Sequence, residues 1–209
     1  MRLRRFESFL LHFAPWKALK FFFSFNRGME TKNSIAGRRS VRDYEDKKVP
    51  EKSIQEILKA GALAPSAMHK EPCRYIIIKD RKKIRELSEK VKDKAGLLGF
   101  GARIAERMKV KEDAIFYSAP LLILIVAEKD KWAETDCALA AQNMMLRAYD
   151  LGLGSCFIGF MRLIEDDKET MKELGIKDSQ KLYCPLIFGY PKGKQKKADR
   201  KPRIQKTIE

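Results

Sequence analysis

The eight-residue run Pro120-Leu-Leu-Ile-Leu-Ile-Val-Ala127 limits what this chain can fold into more than any other stretch. It carries no charge and is rich in Leu, Ile and Val, so it predicts a central, buried strand. Such a strand needs neighbours and cover. The β-branched run at residues 74–79 (Arg-Tyr-Ile-Ile-Ile-Lys) reads as a second strand covered on both faces, and residues 153–158 and 182–190 as two more. Between them the apolar spacing switches to a helical period. A helix is expected over residues 31–36. Another starts at Val49-Pro50-Glu51, with Pro50 in the first turn, buries Ile54, Ile57, Leu58 and Gly61-Ala62, and is ended by Pro65. Asp80 is an N-cap for a helix with the stripe Ile84, Leu87, Val91. Helices follow over 104–116, 136–151 and 163–174. The second of these has a smooth surface of Ala138, Ala140, Ala141, Met144, Met145 and Ala148, suited to close helix packing across a core or a dimer interface, and Gly152 is its C′ residue. With no internal repeat or linker, the order is α+β, helices around one sheet.

A chain of 209 residues with 44% hydrophobic and 34% charged residues describes one ordinary globular domain rather than a disordered chain. The formal net charge of +16 favours a polyanionic partner: nucleic acid, a membrane surface or a phosphorylated small molecule. Cys73, Cys137, Cys156 and Cys184 lie far apart with no C-x-x-C, which argues against a zinc ribbon and a redox dithiol and for reduced thiols in the cytoplasm. His12 and His69 form no H-E-x-x-H pattern, so no metal is implied. The glycine-rich patch at 96–101 has no strand before it and no Lys-Ser/Thr after it, and reads as a connection rather than a phosphate loop.

Residues 1–28 differ from the rest. Arg2, Arg4, Arg5, Lys17, Lys20 and Arg27 oppose the single acid Glu7 around Phe9-Leu10-Leu11 and Phe21-Phe22-Phe23, and Pro15 interrupts the run. No stretch there is long enough to span a bilayer and no small-residue cleavage site follows. The segment reads either as a basic aromatic extension that touches an anionic membrane surface or a partner, or as a non-native extension ahead of Met29, with the domain at 29–209.

The chemistry concentrates at Gly37-Arg38-Arg39-Ser40-Val41-Arg42-Asp43-Tyr44, where three guanidinium groups and a hydroxyl occupy five residues. A guanidinium presents a rigid fork of donors that suits phosphate better than an ammonium does. The stretch is therefore either a solvated basic surface or a seat for an anionic cofactor.

Taken with Ala64-Pro-Ser-Ala-Met-His-Lys-Glu-Pro-Cys-Arg74, Ala141-Gln-Asn-Met-Met-Leu146, Leu151-Gly-Leu-Gly-Ser-Cys156 and Phe188-Gly-Tyr-Pro191 followed by Arg200, this stretch resembles the FMN-dependent nitroreductase family. The resemblance covers about residues 34–202 in order and spacing. It implies an α+β fold, a mostly antiparallel sheet wrapped by helices in an intertwined homodimer, with one FMN in each of two interfacial pockets. It further implies that Arg38, Arg39, Ser40 and Arg200 hold the FMN phosphate, and that Arg42 reaches the N1/O2 edge of the ring. Pro65, Ser66, Ala67, Met68 and His69 would come from the other subunit to line the ring. Ile158 and Gly159 would lie beside it, a backbone N–H of that turn bonding N5. Three residues depart from the family pattern: His69 stands for Asn, Glu71 for Gln and Cys73 for Trp. Glu71 would disfavour the reduced ring unless paired with Arg42 or Arg74, and Cys73 reads as a small buried hydrophobe.

The activity implied is transfer of hydride from NADH or NADPH, through FMN, to an electron-poor acceptor such as a nitroaromatic, quinone or enone, in two half-reactions at one pocket. No side chain need act as acid or base. Two alternatives remain at this level. One keeps the fold and changes the flavin reaction to reductive dehalogenation or dehydrogenation. The other is a basic protein that binds nucleic acid or membrane, for which no zinc finger, helix–turn–helix spacing or RNA-binding aromatic signature is present, so specific nucleic-acid binding is not expected.

Overall fold

The computed structural model describes residues 30–99, 106, 113–196 and 198–209, and everything said of the structure concerns these. The segment 1–28 therefore lies outside the described residues, as does most of the helix expected over 104–116. Four strands form one antiparallel sheet: β1 (Arg74–Ile78), β2 (Leu121–Glu128), β3 (Gly154–Phe157) and β4 (Gln180–Gly189), in the order β1-β2-β4-β3. Among the described residues no helix is long and apolar enough to cross a membrane.

β2 contains the uncharged Leu, Ile and Val run, and its two faces divide the core. Leu122, Leu124 and Val126 face one apolar cluster, completed by Ile187 and by Ile84, Leu87 and Val91 of α3 (Arg81–Leu97). Leu121, Ile123 and Ile125 face the other, against Ile54 and Ile57 of α2 (Glu51–Ala62) and Ala140, Ala141, Met144 and Ala148 of α4 (Ala133–Asp150). Ala140, Ala141 and Ala148 of α4 thus pack within the chain's own core, whereas Ala138 is exposed. Arg147 of α4 also bridges Glu56 of α2 at 2.6 Å and pairs with Asp150. Between Ile125 and Val126 the β2–β4 register slips by one residue, so Tyr183 bulges toward the α2–α4 side.

Local signals set most boundaries. The Asp80 carboxylate accepts the Lys82 N–H at 2.9 Å and starts α3 as expected. At the end of α4, Gly152 has φ +75. Its N–H donates to the Tyr149 carbonyl at 3.0 Å and that of Leu153 to the Ala148 carbonyl at 2.8 Å. This paired closure stops the helix and sends the chain straight into β3. A short helix α1 (Thr31–Gly37) opens the described chain, and Pro50 caps α2 from one residue outside it.

Three expectations are corrected. β1 is not covered on both faces: it is an edge strand, with Arg74 and Ile77 exposed. The single helix expected over 163–174 is two pieces, a 3₁₀ turn Gly159–Ile164 and α5 (Lys168–Glu173). They are separated because the Asp167 carboxylate accepts both the Thr170 N–H (3.1 Å) and its hydroxyl (2.5 Å), starting a new helix there. The third concerns the end of the helix expected over 104–116. Glu106 is helical, but residues 113–118 form a turn organised by Asp113. The buried Asp113 carboxylate accepts from the Ser88 hydroxyl (2.6 Å) and from the N–H groups of Ile115 (3.1 Å), Phe116 (2.9 Å) and Ser118 (3.1 Å).

Asp113→Ala orphans those donors, of which Ser88, Ile115 and Phe116 are buried, and should cost about 3 kcal/mol. Asp113→Asn keeps the shape but sets an amide N–H against a backbone N–H, and should cost about half as much. Denaturant titration checks both; an unchanged midpoint for the alanine variant would show the carboxylate to be dispensable.

Candidate functional site

Residues 38–44 run as an extended strip along the free edge of β3. The Arg38 N–H donates to the Ser34 carbonyl (3.0 Å), the Val41 N–H donates to the Ser155 carbonyl (2.9 Å), and Ser40 pairs with Ser155 in a parallel bridge. Val41 and Tyr44 point inward and are buried, and the Tyr44 hydroxyl donates to the Val41 carbonyl at 2.8 Å. Ser40 and Arg42 are consequently left exposed. The strip lies this close because Gly154 has no side chain: a Cβ there would stand 2.6 Å from Val41 Cγ2. Beyond Tyr44, Glu45 donates to the Tyr190 carbonyl (2.8 Å) and Lys192 to that of Asp43 (2.9 Å), stitching the strip to the end of β4.

The three arginines of the strip do different things. Arg38 is half-buried, and its guanidinium is held below its ordinary pKa first by burial and then by the charges of Arg39 and Arg200. Arg200, distant in sequence, is thereby placed near Arg38. Arg39 gives its donors to carbonyls: Nε to Lys196 (3.0 Å), Nη2 to Ala36 (2.9 Å) and Nη1 to Arg38. It fastens the carboxyl-terminal tail to the end of α1. Arg42 lines a cavity of about 460 Å³ with Ile115, Tyr117, Cys156, Ile158 and Phe160. Arg38 and Arg39 line a separate recess of about 210 Å³ that also takes in Ser155 and Gln195. The Ser155 hydroxyl is buried and has no hydrogen-bond partner in the structure. The strip therefore carries a cationic recess at one end and an apolar-walled cavity at the other.

Ile158 and Gly159 both line the larger cavity. The N–H of Ile158 is committed to the Pro185 carbonyl at 2.9 Å, so any N–H that this turn offers to a ligand must come from beyond it. Gly159, exposed at the start of the 3₁₀ turn, is the first such position.

Pro65, Ser66, Ala67, Met68 and His69 form a second patch. A 3₁₀ turn spans Ala67–His69, and Met68, His69 and Glu71 have φ of 53, 54 and 46, in the left-handed region that side chains disfavour. Two side chains hold this shape. The buried Asp136 carboxylate accepts the Ala67 N–H at 3.1 and 3.3 Å, and the Ser66 hydroxyl accepts the Glu71 N–H at 3.0 Å. Met68 is driven outward and is 74% exposed; Pro65 and His69 are exposed too. Arg74 meets Glu71 through the latter's carbonyl (2.9 Å) rather than its carboxylate. In one copy of the chain this patch lines neither the Arg42 cavity nor the Arg38 recess. The predicted residues thus fall into two groups: Arg38, Arg39, Ser40, Arg42, Ile158 and Gly159 with Arg200, and residues 65–69.

Volume alone would point elsewhere. A cavity of about 590 Å³, larger than the Arg42 cavity or the Arg38 recess, is lined by residues of α5, the 176–182 segment and Lys129. Lys129 donates there to the Asp178 backbone carbonyl (2.7 Å) and Lys181 faces Glu165 (3.8 Å). It shares no residue with either group.

Sequence reasoning missed the residues that position the site. Asp136 acts on the Ala67 N–H, 69 positions away, which only the fold brings to it, and Asp113 adds the distant Ser88 hydroxyl to the N–H groups of its own turn. Ser155 stood inside the motif Leu151–Cys156, and alternation along β3 is the signal that turns its hydroxyl away from Cys156.

Residues 35–190 match the family model described as the Nitroreductase family. A protein of Archaeoglobus fulgidus, provisionally named NADH dehydrogenase/NAD(P)H nitroreductase, is 31% identical over 165 residues, 76% of this chain and 83% of that one. The crystal structure of a nitroreductase with bound FMN from Bacteroides fragilis superposes with a TM-score of 0.74 at 34% identity, over 86% of this chain and 98% of that one. Iodotyrosine deiodinase 1 of Rattus norvegicus is 32% identical over 106 residues, 47% of this chain and 37% of that protein.

Proposed function

Because the chain belongs to the nitroreductase family, we propose that it is an NAD(P)H-dependent FMN oxidoreductase that passes hydride to an electron-poor acceptor, a nitroaromatic, quinone or enone. The observation that carries this reading is the strip on β3, with cations gathered at Arg38 and an apolar-walled cavity of about 460 Å³ beside Arg42. The residues present fit FMN. A phosphate monoester is close to dianionic at neutral pH, and Arg38 and Arg200 repel one another until such an anion lies between them. The unpartnered Ser155 hydroxyl supplies a further buried polar group beside Arg38. The cavity size is that of an ordinary ligand pocket.

Bound FMN supplies hydride acceptance and delivery at its ring. The chain's residues supply the rest. Arg38, Ser40 and Arg200 hold the phosphate, while Arg39 braces the tail that carries Arg200. Arg42 would set a positive charge beside the ring, and Gly159 would offer it a backbone N–H. Ile115, Tyr117 and Phe160 exclude water from the cavity. Residues 65–69 cannot serve the cavity of their own copy, so they serve that of a second, as a homodimer. The exposed apolar side chains of Met68 and of Ile204 and Ile208 in the extended tail support this pairing.

Purified protein should carry FMN, identified by its visible spectrum and by mass spectrometry of the released flavin, and the spectrum should bleach anaerobically on adding NADH or NADPH. Protein that neither retains nor binds FMN would overturn the reading. Arg42→Ala should keep FMN but lower its two-electron potential by about 30 mV, the equivalent of about 1.4 kcal/mol. An unchanged potential would remove Arg42 from the ring. The likeness to an iodotyrosine deiodinase favours reductive dehalogenation as the second reading. Anaerobically reduced enzyme offered a nitroaromatic and an iodophenol side by side separates the two.

A further inference from the structure

The spacing of the cysteines argued against a redox dithiol, yet the fold makes one. Cys73, just ahead of β1, and Cys137, in the first half of α4, lie with their sulfurs 3.7 Å apart although 64 positions separate them. We propose that Cys73 and Cys137 are an oxidation site, at which a peroxide converts the two thiols to an intrachain disulfide that fastens the 65–73 segment to α4.

The geometry gives the two sulfurs different tasks. Cys73 is half-buried and lines a small cavity of about 100 Å³ with Pro65, Ser66, Glu71 and Asp136, roomy enough for a molecule little larger than water. Cys137 is fully buried, its sulfur in contact with that of Cys73. The hydrogen bond between them pulls the Cys73 thiol below its ordinary pKa, with help from Arg74, against the opposing effects of burial and Asp136. The same contact, followed by burial, raises Cys137. Cys73 is therefore the nucleophile and Cys137 the resolving thiol.

In the first step the Cys73 thiolate attacks one peroxide oxygen. An S–O bond forms, the O–O bond breaks, and the departing oxygen leaves as water after taking a proton. Cys73 is oxidised to the sulfenic acid and the peroxide is reduced. The negative charge that held the Cys137 proton is then gone, so Cys137 ionises and attacks the Cys73 sulfur. The S–S bond forms, the S–O bond breaks and a second water leaves. In sum, two thiols and one hydrogen peroxide give one disulfide and two waters. The sulfurs must close by about 1.7 Å, within reach of side-chain rotation. Cys184, whose thiol burial pushes up to about 12, and the buried Cys156 stay reduced. The product ties Cys137 to the loop whose Ala67 N–H is already held by Asp136, one residue earlier in α4. None of this requires a bound flavin.

The test uses the full chain as purified, fully reduced and then exposed to hydrogen peroxide, with free thiols alkylated before digestion. The expected result is a peptide pair joined through Cys73 and Cys137 that has lost two hydrogens and is restored by a dithiol reductant, while Cys156 and Cys184 are alkylated once the protein is denatured. In Cys137→Ser the pair is lost and Cys73 is trapped as its sulfenic acid by dimedone; in Cys73→Ser neither product forms. Recovery of Cys73 and Cys137 as free thiols, or of Cys73 as an unbridged sulfinic acid in the unmodified protein, would overturn the proposal. The flavin spectrum read on the same samples keeps this outcome separate from that of the FMN assignment.

Discussion

Arg38→Ala should leave the protein largely without flavin, weakening FMN binding about 100-fold, the equivalent of about 2.7 kcal/mol. A charge-assisted bond from a half-buried guanidinium to phosphate is worth that much where the donor is already dehydrated. Arg38 is in that state: burial and the charges of Arg39 and Arg200 all press its guanidinium toward losing its proton, and a phosphate dianion reverses the electrostatic part. The flavin-free protein should not suffer from the change, because it sheds a repulsion. The stabilisation seen on adding FMN should shrink instead, since a ligand stabilises only in proportion to its affinity. Arg38→Lys, which keeps a charge and loses the fork, should fall between the two. Fluorescence titration of stripped protein with FMN reads all three; wild-type affinity in the alanine variant would move the phosphate seat elsewhere.

Gly154→Ala should damage fold and cofactor site together. The new Cβ would meet Val41 at 2.6 Å from Cγ2 and 2.8 Å from Cβ, and Val41 is a stiff, buried side chain with nowhere to turn. Relief requires the strip to lift from β3, breaking the bond from the Val41 N–H to the Ser155 carbonyl. Overpacking and the lost bond together should cost about 3 kcal/mol. Because Arg38 and Arg42 ride on the same strip, FMN affinity should fall in parallel. Gly152→Ala is the control: nothing lies within 4 Å of a Cβ there, so only the strain of its positive φ is felt, about 1 kcal/mol, with FMN binding retained. A Gly154→Ala protein with full stability and full FMN binding would show that the strip does not depend on its seat.

What could be read beforehand follows from range. β2, the stripe of α3, the Asp80 cap and the Gly152 stop are written within a few residues of where they act, and each lies where expected. The turn at 113–118 and the break at Asp167 are decided by which distant or competing donors a carboxylate finds, which apolar spacing does not encode. The exposed face of β1 reflects its place at the edge of the sheet, a property of topology rather than of the strand. For the candidate site, residue types pointed to the arginines as a proposal, but not to the turn of Arg39 toward three carbonyls. The pairing of Cys73 with Cys137 was argued against on spacing, because proximity in the fold has no signature in sequence distance.

The grip of Arg39 on the Lys196 carbonyl joins positions 157 residues apart, and the strip rests on strands that come between them. A ribosome therefore delivers the arginines first and their partners last. Contacts of such long sequence separation form late, after the loop between them has closed. During synthesis the nascent chain exposes its basic strip with neither β3 nor tail to receive it. A polypeptide cut short before residue 196 should therefore keep its sheet and lose the clasp.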